Sequence, residues 1–365
     1  MTLEELLEKE NLRNTPLDVF ISLRENIDDI EILSEVCSHI NFENDNTFFQ
    51  SLKDFLVSYG KKLSMVDGRS MLRDINNSKS NKNTYQKASE SIIRTINRPA
   101  FLIRNDKIDS SIDIIWKKRL DESEANINSA IPSVGRIEIG NHPHYNWVGT
   151  GWLIKGTNIV VTNRHVAYNF ASRQDDSFDI NSNHKGKTLR VSIDFKEEYN
   201  VDNENTFRVS RVLHIAENDE PDVALMEILS TSYEGNPLPK GLEIAKHESD
   251  PKDAVFTIGY PANCSMLNQK NLDPIFNGIY DVKRLAPGII YPSSAAPFIY
   301  MHDCTTWYGN SGSPVIELTT GKVVGIHYAG SNEEYGGILT NWAVRSTYLL
   351  ELLQELQIRE NHKIP

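Results

Sequence analysis

The sequence is poor in cysteine, in long apolar runs and in positive charge. Three cysteines occur among the 365 residues, at Cys37, Cys264 and Cys304, with no Cys-x-x-Cys pair. This number and spacing exclude a disulfide-built scaffold and favour a reducing compartment. No apolar run approaches the ~18 residues of a membrane helix, and the first residues lack the basic and apolar regions of a secretory signal. We therefore expect a cytoplasmic protein with no membrane partner.

Basic side chains are outnumbered by acidic ones. The 38 Lys and Arg residues stand against 50 Asp and Glu residues, which gives a net charge of −12. Because nucleic-acid binding needs clustered basic residues, we expect no nucleic-acid partner. At ~100–200 residues per domain, the length predicts two domains or three small ones.

Residues 1–97 contain little glycine and follow the spacing of amphipathic helices. Ile30, Leu33, Cys37 and Ile40 recur at intervals of three or four residues, which places them on one helix face. No alternation typical of strands occurs in this region. We predict a small helical bundle of four or five short helices over 1–97.

A connector is expected over 98–131. Its apolar residues predict a short strand at 101–103. The spacing then predicts one helix over 110–131, which Pro132 ends.

The hydrophobic period changes after Pro132, from about 3.6 residues to about 2. Short β-rich runs punctuated by Gly, Pro, Asn and Asp predict strands at 134–139, 150–154, 159–162, 188–195, 207–215, 223–228, 254–258, 278–285, 298–302, 322–328 and 337–343. A helical stripe that contains Val344 and Leu349 follows. We predict an all-β barrel or sandwich with a C-terminal helix over 132–365.

Three short segments of this β-rich region carry candidate chemistry. His165 ends V-V-T-N-R-H, Asp222 opens the apolar run D-V-A-L, and Ser311 lies in the turn G-N-S-G-S-P-V. Alone, a His after a strand is more often structural, an Asp at a strand start is usually a turn residue, and G-x-S-x-G also marks the nucleophile elbow of α/β-hydrolases. The elbow has the order Ser, Asp, His on a parallel sheet, whereas the order here is His, Asp, Ser, as in chymotrypsin.

These blocks, with T-G-W-L-I before the first and V-V-G-I-H-Y-A-G at 323–330, resemble those of chymotrypsin-fold (trypsin-like) serine peptidases over about 133–358. The resemblance implies a chymotrypsin-like double β-barrel, a protein substrate, and a catalytic triad of His165, Asp222 and Ser311. It implies no cofactor and no metal.

The residue types fit that chemistry. Ser311 is a poor nucleophile until a base takes its proton, and an imidazole such as His165, with an unperturbed pKa of ~6.5, can take and return it near neutral pH. Asp222 would hold the imidazole in one tautomer. Asp219 and Glu220 are competing acids, but only Asp222 directly precedes the strand, as the family block requires.

The resemblance also assigns residues around the serine. The backbone N–H groups of Gly309 and Ser311 would form an oxyanion hole, and Gly312 lets the turn adopt conformations closed to residues with a Cβ. Tyr328 and Gly330, on the strand that follows, would contact the substrate.

The predicted specificity pocket differs from that of trypsin. Thr305 stands six residues before Ser311, where trypsin-like specificity needs an acid, so a preference for Lys or Arg is not expected. Thr306 and His327 match the positions at which glutamyl endopeptidases bind a glutamate carboxylate, since both can donate to oxygen. The alternative is that His327 is a buried histidine bonded internally and Thr306 a strand hydroxyl. Those relatives also use a free N-terminal amine, which this chain lacks unless it is cut.

Two departures bear on activation. Asn310 stands where trypsin-type zymogens place the acid that pairs with a freed N-terminus, so that ion pair is not available here. Control would then come from the N-terminal helices or a partner. A further hypothesis is autocleavage in the connector beside Asp121, Glu122 or Glu124.

Two weaker patterns are expected to be structural and to have no functional role. His142-Pro-His144 has no further ligand at metal spacing, so a surface loop is the preferred interpretation. Cys264 and Cys304 lie in no glycine-rich block and are expected to be structural.

The expected organisation is thus an N-terminal helical domain (1–97), a connector (98–131) and a peptidase domain (132–365). This architecture resembles bacterial immune proteases in which a helical effector-associated module, with its own protein partner, precedes a trypsin-like domain. The helices could equally brace or inhibit the protease. The expected function is an intracellular serine endopeptidase with a preference for acidic residues. The alternatives are a catalytically silent binding module of the same fold and a signalling adaptor.

Overall fold

The computed structural model describes residues 98–109, 114–175, 177–263, 273–291, 297–335 and 338–362. The predicted helical domain over 1–97 therefore lies outside the described residues, as do Cys37 and Cys264. Two compact units divide the chain. Of the described residues, 114–118 and 273–278 belong to one unit and the others to the second.

The chain begins with short elements that precede the barrels. They are strands β1 (Phe101–Arg104) and β2 (Lys107–Ile108), helices α1 (Ile114–Glu122) and α2 (Glu124–Ala130), and a 3₁₀ turn at Ile131–Ser133. The strand expected at 101–103 is confirmed. The single helix expected over 110–131 is wrong, because the chain breaks at Ser123, which lies between α1 and α2.

A first closed barrel follows. Its strands are β3 (Val134–Gly140), β4 (Trp147–Leu153), β5 (Ile159–Thr162), β8 (Arg190–Asp194), β9 (Thr206–Ile215) and β10 (Ala224–Ile228), in the order β10-β5-β4-β3-β8-β9. Helix α3 (Arg164–Ala167) and the hairpin β6 (Ala171–Gln174) and β7 (Ser177–Ile180) lie between β5 and β8. Side chains alternate along the strands, so residues such as Ile137, Ile193 and Phe207 fill the barrel and are fully buried.

A second barrel is built from the strands β11 (Ala254–Gly259), β12 (Arg284–Tyr291), β13 (Ile299–His302), β14 (Pro314–Glu317), β15 (Val323–Tyr335) and β16 (Ile338–Arg345). The order is β11-β14-β15-β16-β13-β12, and pairing of β12 with β11 closes it. Strand β1 adds to β12, with Phe101 opposite Leu285. Helix α4 (Asp273–Phe276) lies between β11 and β12, and α5 (Ser346–His362) follows β16.

Buried side chains such as Lys283 and Tyr260 join the barrels. Lys283, immediately before β12, donates from Nζ to the carbonyls of Ile131 (3.1 Å) and Phe195 (2.6 Å). The hydroxyl of Tyr260 lies 3.3 Å from the carbonyl oxygen of Val134 in the first barrel. These bonds fix how the two barrels face one another, which matters because each barrel carries part of the candidate site.

The double barrel expected from the resemblance and the C-terminal helix expected from its apolar stripe are confirmed, with errors in detail. The strand predicted at 278–285 lies instead at 284–291, and the last helix begins at Ser346, since Val344 belongs to β16. Strands β2, β6 and β7 were not predicted. None of the described helices is long and apolar enough to cross a membrane.

Candidate active site

His165 and Asp222 are held together in the first barrel. His165 lies in α3 directly after β5, and Asp222 lies just before β10, the strand that pairs with β5. His165 Nδ1 is 2.6 Å from Asp222 Oδ2, and the backbone N–H of His165 donates to Oδ1 over 3.1 Å. Since a carboxylate can only accept, Nδ1 carries the proton and Nε2 is left with a lone pair.

Backbone contacts around this pair hold the aspartate. The buried Asn163 donates from Nδ2 to the carbonyl of Asp222 over 2.8 Å. The side chain of His165 is 46% exposed and that of Asp222 only 12%. The imidazole therefore faces solvent while its partner is shielded. Asp219 and Glu220 are exposed, and Asp222 is the acid in contact with His165.

Ser311 lies in a tight turn of the second barrel, between β13 and β14. Gly309 (φ +87°) and Gly312 (φ +90°) both have left-handed backbone. A Cβ at Gly312 would collide with the carbonyl oxygen of Thr150 and the hydroxyl of Thr162. The turn therefore needs glycine for conformation and for space.

The turn leaves two N–H groups unused. Asn310, Gly312 and Ser313 donate their backbone N–H groups to the carbonyls of Trp307 (3.0 Å), His327 (2.9 Å) and Asn310 (2.9 Å). In the described part of the chain, the N–H groups of Gly309 and Ser311 have no such acceptor. These are the two groups expected to form an oxyanion hole.

The serine turn and the histidine meet across β4. Thr150 donates its backbone N–H to the carbonyl of Ser311 over 2.9 Å. A Cβ on the neighbouring Gly149 would lie 3.1 Å from that carbonyl and 2.9 Å from a methyl of Val166, the residue after His165. Among the described residues no hydrogen bond joins Ser311 Oγ to His165, a contact that often tightens only with substrate bound.

Residues 149–326 match the family described as the trypsin-like peptidase domain. This match supports a serine peptidase of the chymotrypsin fold. A search of curated proteins found no match.

Two solved structures are similar in fold. The serine endoprotease from Yersinia pestis matches with a TM-score of 0.43 and 16% identity, over 64% of this chain and 66% of that one. An inactive mutant of Rv3671c from M. tuberculosis matches with a TM-score of 0.39 and 17% identity, over 67% of this chain and 95% of that one. Neither likeness is close enough to carry an argument about function.

The predicted pocket residues of the peptidase domain lie near the serine turn. Thr306 is half-buried and His327, on β15, is buried. His327 exchanges backbone bonds with the turn, because its N–H donates to the carbonyl of Ser313 over 2.9 Å and its carbonyl accepts from Gly312. The structure thus places His327 next to the turn that carries Ser311.

A second histidine, His302, was not predicted. Its Nε2 lies 3.2 Å from His327 Nδ1, and the rings are in edge contact, 5.3 Å apart. Burial lowers the pKa of His302 to about 3. Burial, with the neighbouring His302 and His165, also lowers the pKa of His327. Both imidazoles are therefore neutral. The alternation of side chains along β13 predicts that His302 points inward, but its contact with His327 depends on the fold.

Tyr328 and Gly330 occupy the part of β15 beyond its pairing with β14. That pairing reaches Ile326 opposite Pro314. Burial and the nearby Asp222 raise the pKa of Tyr328 to about 12, and Gly330 is exposed. Among the described residues, this stretch of β15 is therefore open on one edge, next to the histidine and aspartate.

The remaining candidates lie elsewhere. His142 and His144 occupy an exposed loop, where His142 stacks on Tyr145. Cys304 is buried, and burial raises the pKa of its thiol well above the ordinary value, which disfavours a nucleophilic thiolate. Glu122 ends α1 and Glu124 begins α2, so the stretch suggested for autocleavage is largely helical.

Proposed function

We propose that this chain is a serine endopeptidase that uses His165, Asp222 and Ser311 as its triad. The observation that carries the proposal is the 2.6 Å contact of His165 Nδ1 with Asp222 Oδ2. It orients the lone pair of Nε2 away from Asp222, which is the state that a general base requires. The trypsin-like peptidase domain match over 149–326 supports the same chemistry.

In the first step Ser311 Oγ attacks the scissile carbonyl while His165 Nε2 takes the hydroxyl proton. The N–H groups of Gly309 and Ser311 bind the oxyanion of the tetrahedral intermediate. Collapse of the intermediate breaks the C–N bond, and His165 returns the proton to the leaving amine. Water then attacks the acyl-enzyme by the same route and releases the acid and the serine.

The proposal includes a preference for an acidic side chain before the scissile bond. Among the described residues, His302 Nδ1 is buried and has no hydrogen-bond partner. A buried lone pair costs less than a buried unpaired N–H. The favoured arrangement therefore has His302 donating from Nε2 to His327 Nδ1, which puts the proton of His327 on Nε2. That N–H, with the hydroxyl of Thr306, is then able to donate to a substrate carboxylate.

The substrate backbone is proposed to pair with the open edge of β15 at Tyr328 and Gly330. A peptide added there would extend the sheet, which is a common mode of peptide recognition. We also propose, on architecture alone, that residues 1–97 recruit a protein partner or inhibit the peptidase. The proposed compartment is the cytoplasm, and the proposed setting is bacterial immune defence.

The test of activity is labelling with a fluorophosphonate probe. Wild type is expected to be labelled at Ser311 and Ser311→Ala not at all, whereas Ser313→Ala, which removes a neighbouring buried hydroxyl, should retain labelling. Absence of labelling in folded wild type, with and without candidate partners, would instead support the silent binding module.

The test of specificity is a peptide-library profile of the full chain. We expect cleavage after Glu, a loss of that preference in His327→Gln and Thr306→Val, and a rise in KM with little change in kcat. A dominant preference for Lys or Arg would overturn the pocket assignment and leave the triad assignment intact.

A further inference from the structure

The wall of the proposed pocket is mostly unpaired, apart from a 3.3 Å bond from the backbone N–H of its first residue, Asp303, to the carbonyl of Ile289 on β12. Residues 303–307, between β13 and the serine turn, have no regular secondary structure and include Thr306. Such a segment depends on side-chain contacts to hold its shape. Asn341 supplies one of them, because its Nδ2 donates to the carbonyl of Cys304 over 2.7 Å.

Arg98 supplies two further contacts from a distant part of the sequence. Its guanidinium forms an ion pair with Asp303, a residue 205 positions away. Its carbonyl accepts a hydrogen bond from the hydroxyl of Thr305 over 2.6 Å. Arg98 thus contacts the two residues that flank Cys304, directly before Thr306.

The ion pair is enclosed and its carboxylate is well satisfied. The side chain of Asp303 is 1% exposed and that of Arg98 11%. Asp303 Oδ1 accepts from the N–H of Ile289 over 2.8 Å, and Oδ2 accepts from the hydroxyl of Tyr291 over 2.9 Å. Loss of the guanidinium would leave a buried carboxylate without its counter-charge, which is costly.

This contact reaches the pocket wall from a residue that precedes the strands of both barrels. Arg98 directly follows residues 1–97 and precedes β1, which pairs with β12 of the second barrel. In this fold neither barrel needs a residue from before its first strand to close, since each is complete without β1. The contact therefore ties the stretch leading into the barrels to the pocket wall.

We propose that Arg98 is a positioning residue for the substrate pocket, which holds residues 303–307 in the shape that presents Thr306 to substrate. The inference rests on the proposed peptidase function for its consequence, but its structural part stands by itself. Arg98 contacts no residue of the triad, so it acts on substrate binding through the pocket wall.

Two full-length variants test the proposal without leaving an isolated buried charge. Thr305→Val removes the hydroxyl that binds the Arg98 carbonyl. The double variant Arg98→Met with Asp303→Asn removes both charges together. Arg211→Met serves as the control, since it breaks an ion pair with Glu227 (2.6 Å) in the first barrel.

Amide hydrogen exchange gives a readout that does not depend on activity. In both test variants, exchange should rise at 303–309 and stay unchanged in β10, because only the pocket wall loses contacts. For a peptide with Glu before the scissile bond, KM should rise about tenfold with kcat and fluorophosphonate labelling nearly unchanged. Arg211→Met should leave exchange at 303–309, KM, kcat and labelling unchanged.

The outcomes separate the two proposals. Unchanged exchange at 303–309 in a folded variant overturns the role of Arg98. A fall in labelling as large as the effect on KM also overturns it, because that result indicates general loosening of the barrel. A wild type that is folded but is neither labelled nor active overturns the peptidase, and the exchange measurement then still decides whether Arg98 positions the wall.

Discussion

The first barrel carries His165 and Asp222 above an interior of aliphatic and aromatic side chains, whereas the second carries Ser311 among buried polar groups. In the second barrel these polar groups include His302, Asp303, Asn310, Ser313, Glu317, His327 and Thr340. The first barrel thus places its two residues by strand ends and by bonds such as that from the buried Asn163 side chain to the carbonyl of Asp222. The second barrel shapes a turn and a pocket wall by hydrogen bonds that are shielded from water. Its geometry therefore depends on many polar side chains, each of which can be substituted separately.

The largest expected effect comes from the first barrel. Asp222→Asn keeps the size of the side chain but allows the wrong imidazole tautomer, so kcat should fall by about 10⁴-fold. Steady-state hydrolysis of a peptide substrate measures it. Asp219→Asn, in an exposed acid three residues earlier, should leave kcat unchanged. Comparable losses in both variants would mean that the wrong acid has been assigned.

The next largest effect is expected from Lys283, whose side chain bonds the two barrels together. Lys283→Met removes the donor to two buried carbonyls and a cation 3.7 Å from the buried Glu198, which then has Lys196, 3.8 Å away, as its remaining described counter-charge. The free energy of unfolding should fall by about 3–5 kcal/mol, as measured by urea denaturation. Lys155→Met, which breaks an exposed ion pair with Glu243, should cost less than about 1 kcal/mol. Equal costs would show that Lys283 does not hold the barrels together.

A change at Gly309, in the serine turn of the second barrel, should lower kcat less than Asp222→Asn does. Gly309→Ala forces a Cβ against the carbonyl of Tyr260 and the ring of Trp147 at a φ of +87°. Displacement of one N–H donor should lower kcat by about 10²–10³-fold. Gly235→Ala has nearly the same φ (+86°) but open space, and it should keep full activity. A fully active Gly309→Ala would remove that N–H from the oxyanion hole.

The smallest expected effect concerns pH, and its sign differs between the barrels. Burial raises the pKa of Glu138 in the first barrel from 4.5 to about 7, against the partial opposition of Arg136. The folded state thus holds that proton more tightly, and stability is lost as pH rises from 4.5 to 7. The pKa of His302 falls from 6.5 to about 3, so there stability is lost as pH falls over that range.

Glu138→Gln should therefore flatten the alkaline side of a plot of Tm against pH, and His302→Phe the acid side. Each change should be on the order of 1–3 kcal/mol. Thermal denaturation from about pH 3 to about pH 8, in steps of about one unit, covers both windows. An unaltered profile in either variant refutes the assigned cause for that side.

The parts of the fold and site that depend on local pattern were predictable from the sequence. The blocks around His165, Asp222 and Ser311 each combine a turn with a strand, and the structure places them at strand ends. Strand β12 was misplaced because Gly278 and Asp281 have left-handed backbone (φ +66° and +63°), which interrupts the apolar run.

Long-range side-chain contacts were not predictable. His302 meets His327 through the pairing of β13 and β15 with β16, and no spacing in the sequence encodes that contact. The β6–β7 hairpin is short and mostly polar, and although SFDI alternates polar and apolar residues, its partner ASRQ does not, so the pair was missed.

The two unused N–H groups of the serine turn also tie binding to stability. In the empty protein, Gly309 and Ser311 have no acceptor in the described part of the chain for these donors. An anion that fills the gap, such as a tetrahedral boronate on Ser311, binds the folded chain and not the unfolded one. At a concentration of 100 Kd it should stabilise the fold by about 2.7 kcal/mol. A melting curve alone can therefore report occupancy of the site, without any turnover.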